Sequence, residues 1–423
     1  MTNKWSPIDT RIDKLILIIS VRIKKGYIAV KLIVLPMPRH GAVYNARIGD
    51  WTMDISQQVW PPVAYTVGAA AWFCAVLLVL TKPLHGHFTA GLLRNVQSAH
   101  TMPTPRIGGL ALYFSVVLGT WLCQGEMRHI LMQLVLAGTP AFAFGLLEDC
   151  THRVSVRTRL FATIGSGILA SMITGLTIGD INVPWLNTLL EWTPFAVLFT
   201  AFAVSGVANA FNIIDGFNGL ASGTAVITLG AFAWLDLQLG ASTLSAVCLI
   251  LAAAALGFML VNWPRGKLFM GDGGAYFLGF GVAWMAVLLL HRYPQVSAWC
   301  PLLICSYPVL EVVFSMLRRR LRRRGLGTAD RLHLHSLVKR RVVRQLCPTL
   351  SRTTRNSTTG ALLWGMTLLP ALWAVSAYDN MPLLALGLLL FAAAYHLLYV
   401  RLVRFRWCIS AALTPAPKLS KAP

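Results

Sequence analysis

The stretch TLSAVCLILAAAALGFMLV, residues 243–261, has no charged side chain in 19 residues and runs straight into NWPRGKLFMGDGGA, residues 262–275. As a helix, 19 residues cover about 28 Å, close to the thickness of a bilayer's hydrocarbon core. The polar, Gly-rich segment after it marks a return to water. Working outward, comparable apolar runs recur at 62–80, 107–123, 131–147, 160–178, 193–208, 221–239, 275–290, 300–317, 361–377 and 382–400. The pattern predicts an all-α integral membrane protein with about eleven transmembrane helices. Composition agrees, since 56% of the 423 residues are hydrophobic and only 12% are charged, too apolar for an ordinary water-soluble domain.

A formal charge of +22 raises the question of nucleic acid, and the placement of the charge answers it. The loops after odd-numbered spans, with the C-terminal tail, carry 26 of the 37 Lys and Arg, whereas the opposite loops carry only Arg128 and Arg292. Such one-sided enrichment is the positive-inside signature of membrane topology. It puts the first set in the cytoplasm of a multi-pass protein and leaves no nucleic-acid footprint.

Residues 1–59 form an N-terminal extension that carries the other nine basic residues on the side where the rule expects few. Two readings stand. Residues 14–35 are apolar but interrupted by Arg22, Lys24, Lys25 and Lys31, which suits an amphipathic segment lying on the membrane surface. Alternatively the natural start is Met53, nine residues before the first span, which removes the conflict. Residues 60–405 make up the polytopic domain, and 406–423 a basic cytoplasmic tail. The eight cysteines are scattered without a C-x-x-C pair, so neither a disulfide framework nor a zinc site is implied.

Nearly all polar chemistry lies in the loops of the predicted cytoplasmic face. HTMPTPRIGG (100–109) is a Pro/Gly-rich turn that fixes Arg106 at the membrane surface; the plainer reading is a helix start anchored to headgroups. GLLEDCTHRVSVRTR (145–159) sets Glu148 and Asp149 at a membrane boundary, where carboxylates bind metal, accept protons or pair with cations such as Arg153. ANAFNIIDGFNGLASG (208–223) repeats Asn209, Asn212, Asp215 and Asn218 at every third residue. On a helix these form a drifting polar stripe suited to a hard cation and to the hydroxyls and phosphate of a nucleotide sugar; helix capping and interhelical hydrogen bonding is the alternative. Asp272 stands among three glycines in the 262–275 loop, where backbone N–H groups can approach phosphate and one carboxylate can hold Mg²⁺. The P-loop pattern is absent. The last cluster, RRRLRRRGLGTADRLHLH (318–335), opens with six arginines that serve topology and ends with Asp330, Arg331, His333 and His335, donors suited to a pyrophosphate.

Together these motifs resemble the bacterial polyprenyl-phosphate N-acetylhexosamine-1-phosphate transferase family. Its members start O-antigen, enterobacterial common antigen and teichoic acid synthesis, with the phospho-muramoyl-pentapeptide transferases as a distant branch. The resemblance runs from about residue 60 to about 405 and rests on H-x-x-P-T-P-R-x-G-G, N-x-x-N-x-x-D-G-x-x-G-L, F-M-G-D-x-G and the H-x-H loop. It implies transfer of a sugar-1-phosphate from a UDP-N-acetylamino sugar to undecaprenyl phosphate at the cytoplasmic face of the inner membrane, with Mg²⁺, or Mn²⁺ in its place. Membrane lipids are further partners, and a homodimer is compatible with the sequence.

Carried over by position, the resemblance makes Asp272 the metal ligand with Asp215 beside it. Asn262 would face the uridine, and Arg331, His333 and His335 the phosphates. Asn209, Asn212, Asn218 and Arg106 complete the substrate contacts. Glu148 and Asp149 form the acidic pair, with Asp149 the candidate base; a two-step route through a phospho-enzyme on Asp215 is the alternative. The chain departs from the family at three positions, with Glu148 and Asn218 each standing for Asp and Ser336 for a third histidine. The loss of charge at Asn218 raises the prospect of a changed donor sugar, weaker metal binding or an inactive homologue. A secondary transporter and a non-catalytic scaffold that binds lipid-linked sugars are the rival classes. The first predicts ionisable residues near the middle of the spans and paired halves, whereas here the spans are nearly charge-free, the acids gather at one boundary and no relation between the halves stands out.

Overall fold

The computed structural model describes residues 18–24, 27–33, 48–81, 104–321 and 332–404. Arg331 and the tail 406–423 lie outside the described residues. The chain divides into two units, Met1–Asp54 and Ile55–Pro423. In the first, β1 (Ile18–Lys24) and β2 (Tyr27–Ile33) pair as an antiparallel hairpin. Its register sets Ile19 against Leu32, Val21 against Val30 and Ile23 against Ile28. The β-branched Ile and Val in these pairs favour a pleated strand, and the apolar positions recur with period two rather than as a helical stripe.

The second unit is helical. Its first helices are α1 (Ile48–Thr81, in this unit from Ile55 and apolar from Val59), α2 (Gly108–Leu122), α3 (Gly125–Thr151) and α4 (Val156–Thr174). A short α5 (Pro184–Leu190) leads to α6 (Thr193–Ile214), α7 (Leu220–Gln238), α8 (Thr243–Asn262) and α9 (Gly271–Arg292). Then come α10 (Trp299–Ile304), α11 (Ser306–Leu321) and α12 (Leu334–Val338), the last continued by a π turn at Lys339–Val343. Two long helices, α13 (Arg352–Ser376) and α14 (Met381–Val403), follow.

Among the described residues eight helices are long and apolar enough to cross a membrane. The other three expected spans also fall on helices. That at 107–123 is the 15-residue α2, and that at 160–178 is α4. The span at 300–317 is divided, α10 ending at Ile304 and α11 beginning at Ser306. Pro308 explains the break, because it has no N–H to give to the carbonyl of Ile304. α9 is the axis of the unit, with 83% of its apolar window buried against 17% for α1 and α14. It packs on α2, α3, α6 and α7, so its N-terminus at Gly271 is fixed at the centre of the predicted cytoplasmic face.

Two acids lie inside these apolar helices, Asp236 at 0% exposure and Glu311 at 1%. Asp236, near the far end of α7, accepts from the Ser245 N–H (2.7 Å) at the start of α8, from the Ser245 hydroxyl (3.0 Å) and from the Tyr293 hydroxyl (2.7 Å). Every acceptor is used within the protein, which is how a buried carboxylate is tolerated.

Candidate active site

The motifs at 100–109 and 262–275 are two halves of one structure. Phe269 N–H donates to the Pro105 carbonyl (2.9 Å), Gly108 N–H to Phe269 (2.9 Å) and Gly109 N–H to Met270 (2.7 Å). Glycine is required where they meet, since a Cβ on Gly109 would lie 2.3 Å from the Gly274 nitrogen. Gly271 has φ +76°, and a Cβ there would lie 2.1 Å from the Arg106 carbonyl oxygen. Asp149, from the end of α3, completes the corner. Its two carboxylate oxygens accept the N–H groups of Asp272 and Gly273, each at 2.9 Å. It thus caps the positive end of α9 from a neighbouring helix.

Around this corner opens a cavity of about 1700 Å³. Its acidic pole is formed by Glu148, Asp149, Asp215 and Asp272. Asp272 is paired with Arg159 and, at 3.4 Å, with Arg106. Glu148 accepts from the Val154 N–H (2.8 Å), which holds the chain as it leaves α3. Asp215 follows α6, near the Gly271 N–H. Loss of hydration pushes its carboxyl up to about 8, Arg106 opposing the rise and Asp149 adding to it.

An arc of cations also lines the cavity, with Lys339, Arg340 and Arg344 following α12 and Arg352 and Arg355 at the start of α13. The Lys339 ammonium sits 5.2 Å from the Phe217 ring centre. Burial, reinforced by Arg355 and Arg352, lowers its pKa to about 8. A third wall is apolar, made by Leu160 and Ile164 of α4, Phe202 of α6 and Val309, Val313 and Met316 of α11. Phe202 is 71% exposed and Val313 49%, so this arm is open at the protein surface.

Most of the residues singled out in the sequence converge here. Arg106, Glu148, Asp149, Asn209, Asn212, Asp215, Asp272, His333 and His335 all line the cavity. Asn209 also braces α6 against α4, donating to the Thr163 hydroxyl (3.1 Å) and the Ser205 carbonyl (2.8 Å). Asn218 and Asn262 do not line it. Asn262 accepts from the Gly219 N–H (2.6 Å) and donates to the Leu268 carbonyl (2.7 Å), which ties the 215–219 turn to the 262–271 loop. Asn218 donates to the Ser357 hydroxyl (3.0 Å) and the Pro264 carbonyl (3.4 Å).

Sequence reasoning missed several lining cations. Lys339, Arg352 and Arg355 carry no motif and read as topology charges, and Arg159 closes the 145–159 cluster without being singled out. It also missed Glu311, which holds His333 through a 2.9 Å bond to Nδ1. Its signal was present, as the one acid within the apolar run 300–317. His333 and His335 stack with ring centres 5.1 Å apart.

A bundle of apolar helices that gathers acids, cations and an open apolar arm around one cavity defines a polytopic membrane protein built to handle charged groups beside lipid. Comparison with known sequences gives this class its family. Residues 131–290 match the family described as glycosyl transferase family 4. A probable undecaprenyl-phosphate N-acetylglucosaminyl 1-phosphate transferase of Bacillus subtilis is 31% identical over 241 residues, 56% of this chain and 66% of the relative. The undecaprenyl-phosphate alpha-N-acetylglucosaminyl 1-phosphate transferase of Yersinia pestis is 30% identical over 259 residues, 58% of this chain and 68% of the relative. The enzyme of that name from Escherichia coli K12 is 28% identical over 256 residues, with the same coverage. The chain therefore spans about two thirds of the length of these relatives. It belongs to glycosyl transferase family 4.

Proposed function

We propose that the protein transfers N-acetylhexosamine-1-phosphate from a UDP-sugar to undecaprenyl phosphate, releasing UMP, as the first step of a lipid-linked cell-surface glycan. One observation carries this reading: a single cavity joins an acidic pole, an arc of cations and an apolar arm open at the surface. A sugar nucleotide needs the first two and a polyprenyl chain the third. The names of the relatives from Bacillus subtilis and Yersinia pestis support the same pair of substrates. The charge asymmetry supports an eleven-span arrangement in the inner membrane, with the cavity on the cytoplasmic side, where UDP-sugars are found.

The reaction brings several negative charges into one volume. An oxygen of the lipid phosphate attacks the β-phosphorus of the donor. The bond from that phosphorus to the bridging oxygen breaks, UMP leaves with the bond's electron pair, and the bond between the sugar and its phosphate stays intact. Arg106 and Arg159 beside Asp272, with Lys339, Arg352 and Arg355 elsewhere on the cavity wall, neutralise the diphosphate as charge moves onto UMP. His333 and His335 contact its phosphates. The apolar arm holds the prenyl chain so that its phosphate meets the acidic pole.

Asp272 and Asp215 are suited to a hard divalent cation, because Mg²⁺ is commonly held by one or two carboxylates with the remaining positions taken by water and substrate phosphate. When bound, Mg²⁺ supplies charge neutralisation at the diphosphate. A phosphate monoester with a second pKa of about 6 is largely dianionic at neutral pH, so little is asked of a base. Asp149 is engaged at both oxygens by the start of α9.

The experiment is UMP release by purified protein given undecaprenyl phosphate, Mg²⁺ and a panel of UDP-N-acetylamino sugars, including GlcNAc, GalNAc, quinovosamine and fucosamine derivatives. Release with one donor, abolished by EDTA and by Asp272→Asn, is the expected result. Silence with every donor would sink the reading. Asn218 does not weigh against activity, because its side chain lies outside the cavity and its missing charge removes nothing from the acidic pole.

A further inference from the structure

Glu311 is almost fully enclosed inside α11, yet it serves donors from two other elements. Its Oε1 accepts from His333 Nδ1 (2.9 Å) and from the Leu334 N–H (3.0 Å), and its Oε2 accepts from the Tyr395 hydroxyl (3.0 Å) of α14. Packing alone does not call for a charge at this depth, since apolar residues of similar volume commonly replace buried ionic groups without loss of stability. Its value must lie in what it does to a partner. The partner that lines the cavity is His333.

A carboxylate facing Nδ1 keeps a proton on that nitrogen and leaves Nε2 as the working position of the ring. The ring plane has two further restraints: the Leu334 N–H pins the carboxylate beside it, and the His335 ring stacks on it with an interplanar angle of 7°. His333 is therefore held in one orientation before any substrate arrives.

We infer that Glu311 is a positioning residue, which orients His333 and holds a proton on its Nδ1 so that Nε2 is presented to the phosphate leaving with UMP. The inference rests on the proposed sugar-1-phosphate transfer, and the two can fail separately. Absence of UMP release by the wild-type protein refutes the reaction; normal release by Glu311 variants refutes only the role of Glu311.

The test is steady-state kinetics of UMP release in detergent micelles, with size-exclusion profiles and thermal melting recorded for each variant. Glu311→Gln keeps the shape and removes the charge; kcat is expected to fall about 10- to 100-fold, with the donor KM within about threefold, as loss of orientation at one phosphate contact implies. In a His333→Ala background the same change is expected to cost less than about threefold, since its effect runs through the ring. Full additivity would overturn the inference, as would unchanged kcat in Glu311→Gln. Should Glu311→Gln fail to fold, the His333 variants carry the test. His333→Asn offers an N–H to Glu311 in place of Nδ1 but nothing at Nε2, whereas His333→Gln does the reverse. Both are expected to be at least about tenfold slow. Near-normal turnover in either would show that one of the two nitrogens is dispensable and would overturn the inference.

Discussion

Two buried aspartates, Asp149 and Asp236, perform the same structural task at opposite ends of the helical unit. Each accepts backbone N–H groups at the start of a neighbouring helix, Asp149 for α9 and Asp236 for α8. Their surroundings differ. Asp236 is closed off by the Ser245 and Tyr293 hydroxyls and lines no part of the cavity. Asp149 lies on the cavity wall, with Asp272, Arg106 and Arg159 around it. A buried acid capping a helix is therefore architecture. It becomes part of a site when the helix it anchors presents a second carboxylate and cations converge on the same opening.

Substitution on the two sides should separate these roles. Asp272→Asn touches only the cavity side, and kcat should fall by about a thousandfold or more, since several kcal/mol of charge stabilisation are lost, while the melting temperature changes little. Asp149→Asn should do both kinds of damage. Its amide cannot accept at both positions, which leaves an N–H unpaired at a cost of about 1–3 kcal/mol, and the displaced α9 start should lower kcat by about a hundredfold. Asp236→Asn should cost a similar 1–3 kcal/mol and leave kcat per folded molecule unaltered. The comparison breaks if Asp236→Asn is catalytically impaired yet stable, measured by UMP release beside thermal unfolding.

The acidic pole should also show itself in metal affinity. Asp215 has a raised pKa, so below about pH 8 a cation must displace its proton. Mg²⁺ affinity measured by calorimetry should improve up to about tenfold per pH unit between pH 6 and 8, as expected for one proton released. Asp215→Asn should flatten the slope. An unaltered slope in that variant would mean that Asp215 is not the competing group.

The fold was readable because lipid imposes one-dimensional rules. Runs such as 243–261 must be helices, and Lys and Arg must favour one side. Each expected span falls on a helix, although Pro308 divides one. The acids of the site were readable because Asp149, Asp215 and Asp272 lie in motifs with local spacing. The cationic arc was not, because Lys339, Arg352 and Arg355 differ in sequence from topology charges only in where the chain after α12 carries them. Asn218 and Asn262 show the converse, since both stand at motif positions while their side chains lock one loop to another and do not line the cavity. Glu311 was visible as an oddity within an apolar run, but its meaning depends on His333, 22 residues away.

The smallest expected effect concerns Lys339. With its pKa lowered to about 8 by burial and by Arg355 and Arg352, the group is charged below that pH and neutral above it. A bound diphosphate favours the charged form, so binding must take up a proton once the pH exceeds about 8. The donor KM should then rise with pH, by less than about tenfold per unit, because other cations share the load. Folding follows the opposite sign. Burying the charged lysine costs stability below pH 8, and that cost is relieved as the pH rises toward the unfolded value near 10.5. Lys339→Arg keeps the charge throughout this range and should flatten the alkaline rise in KM with little change near pH 7. A rise that persists in the arginine variant would assign the alkaline dependence to another group and leave Lys339 as packing against Phe217.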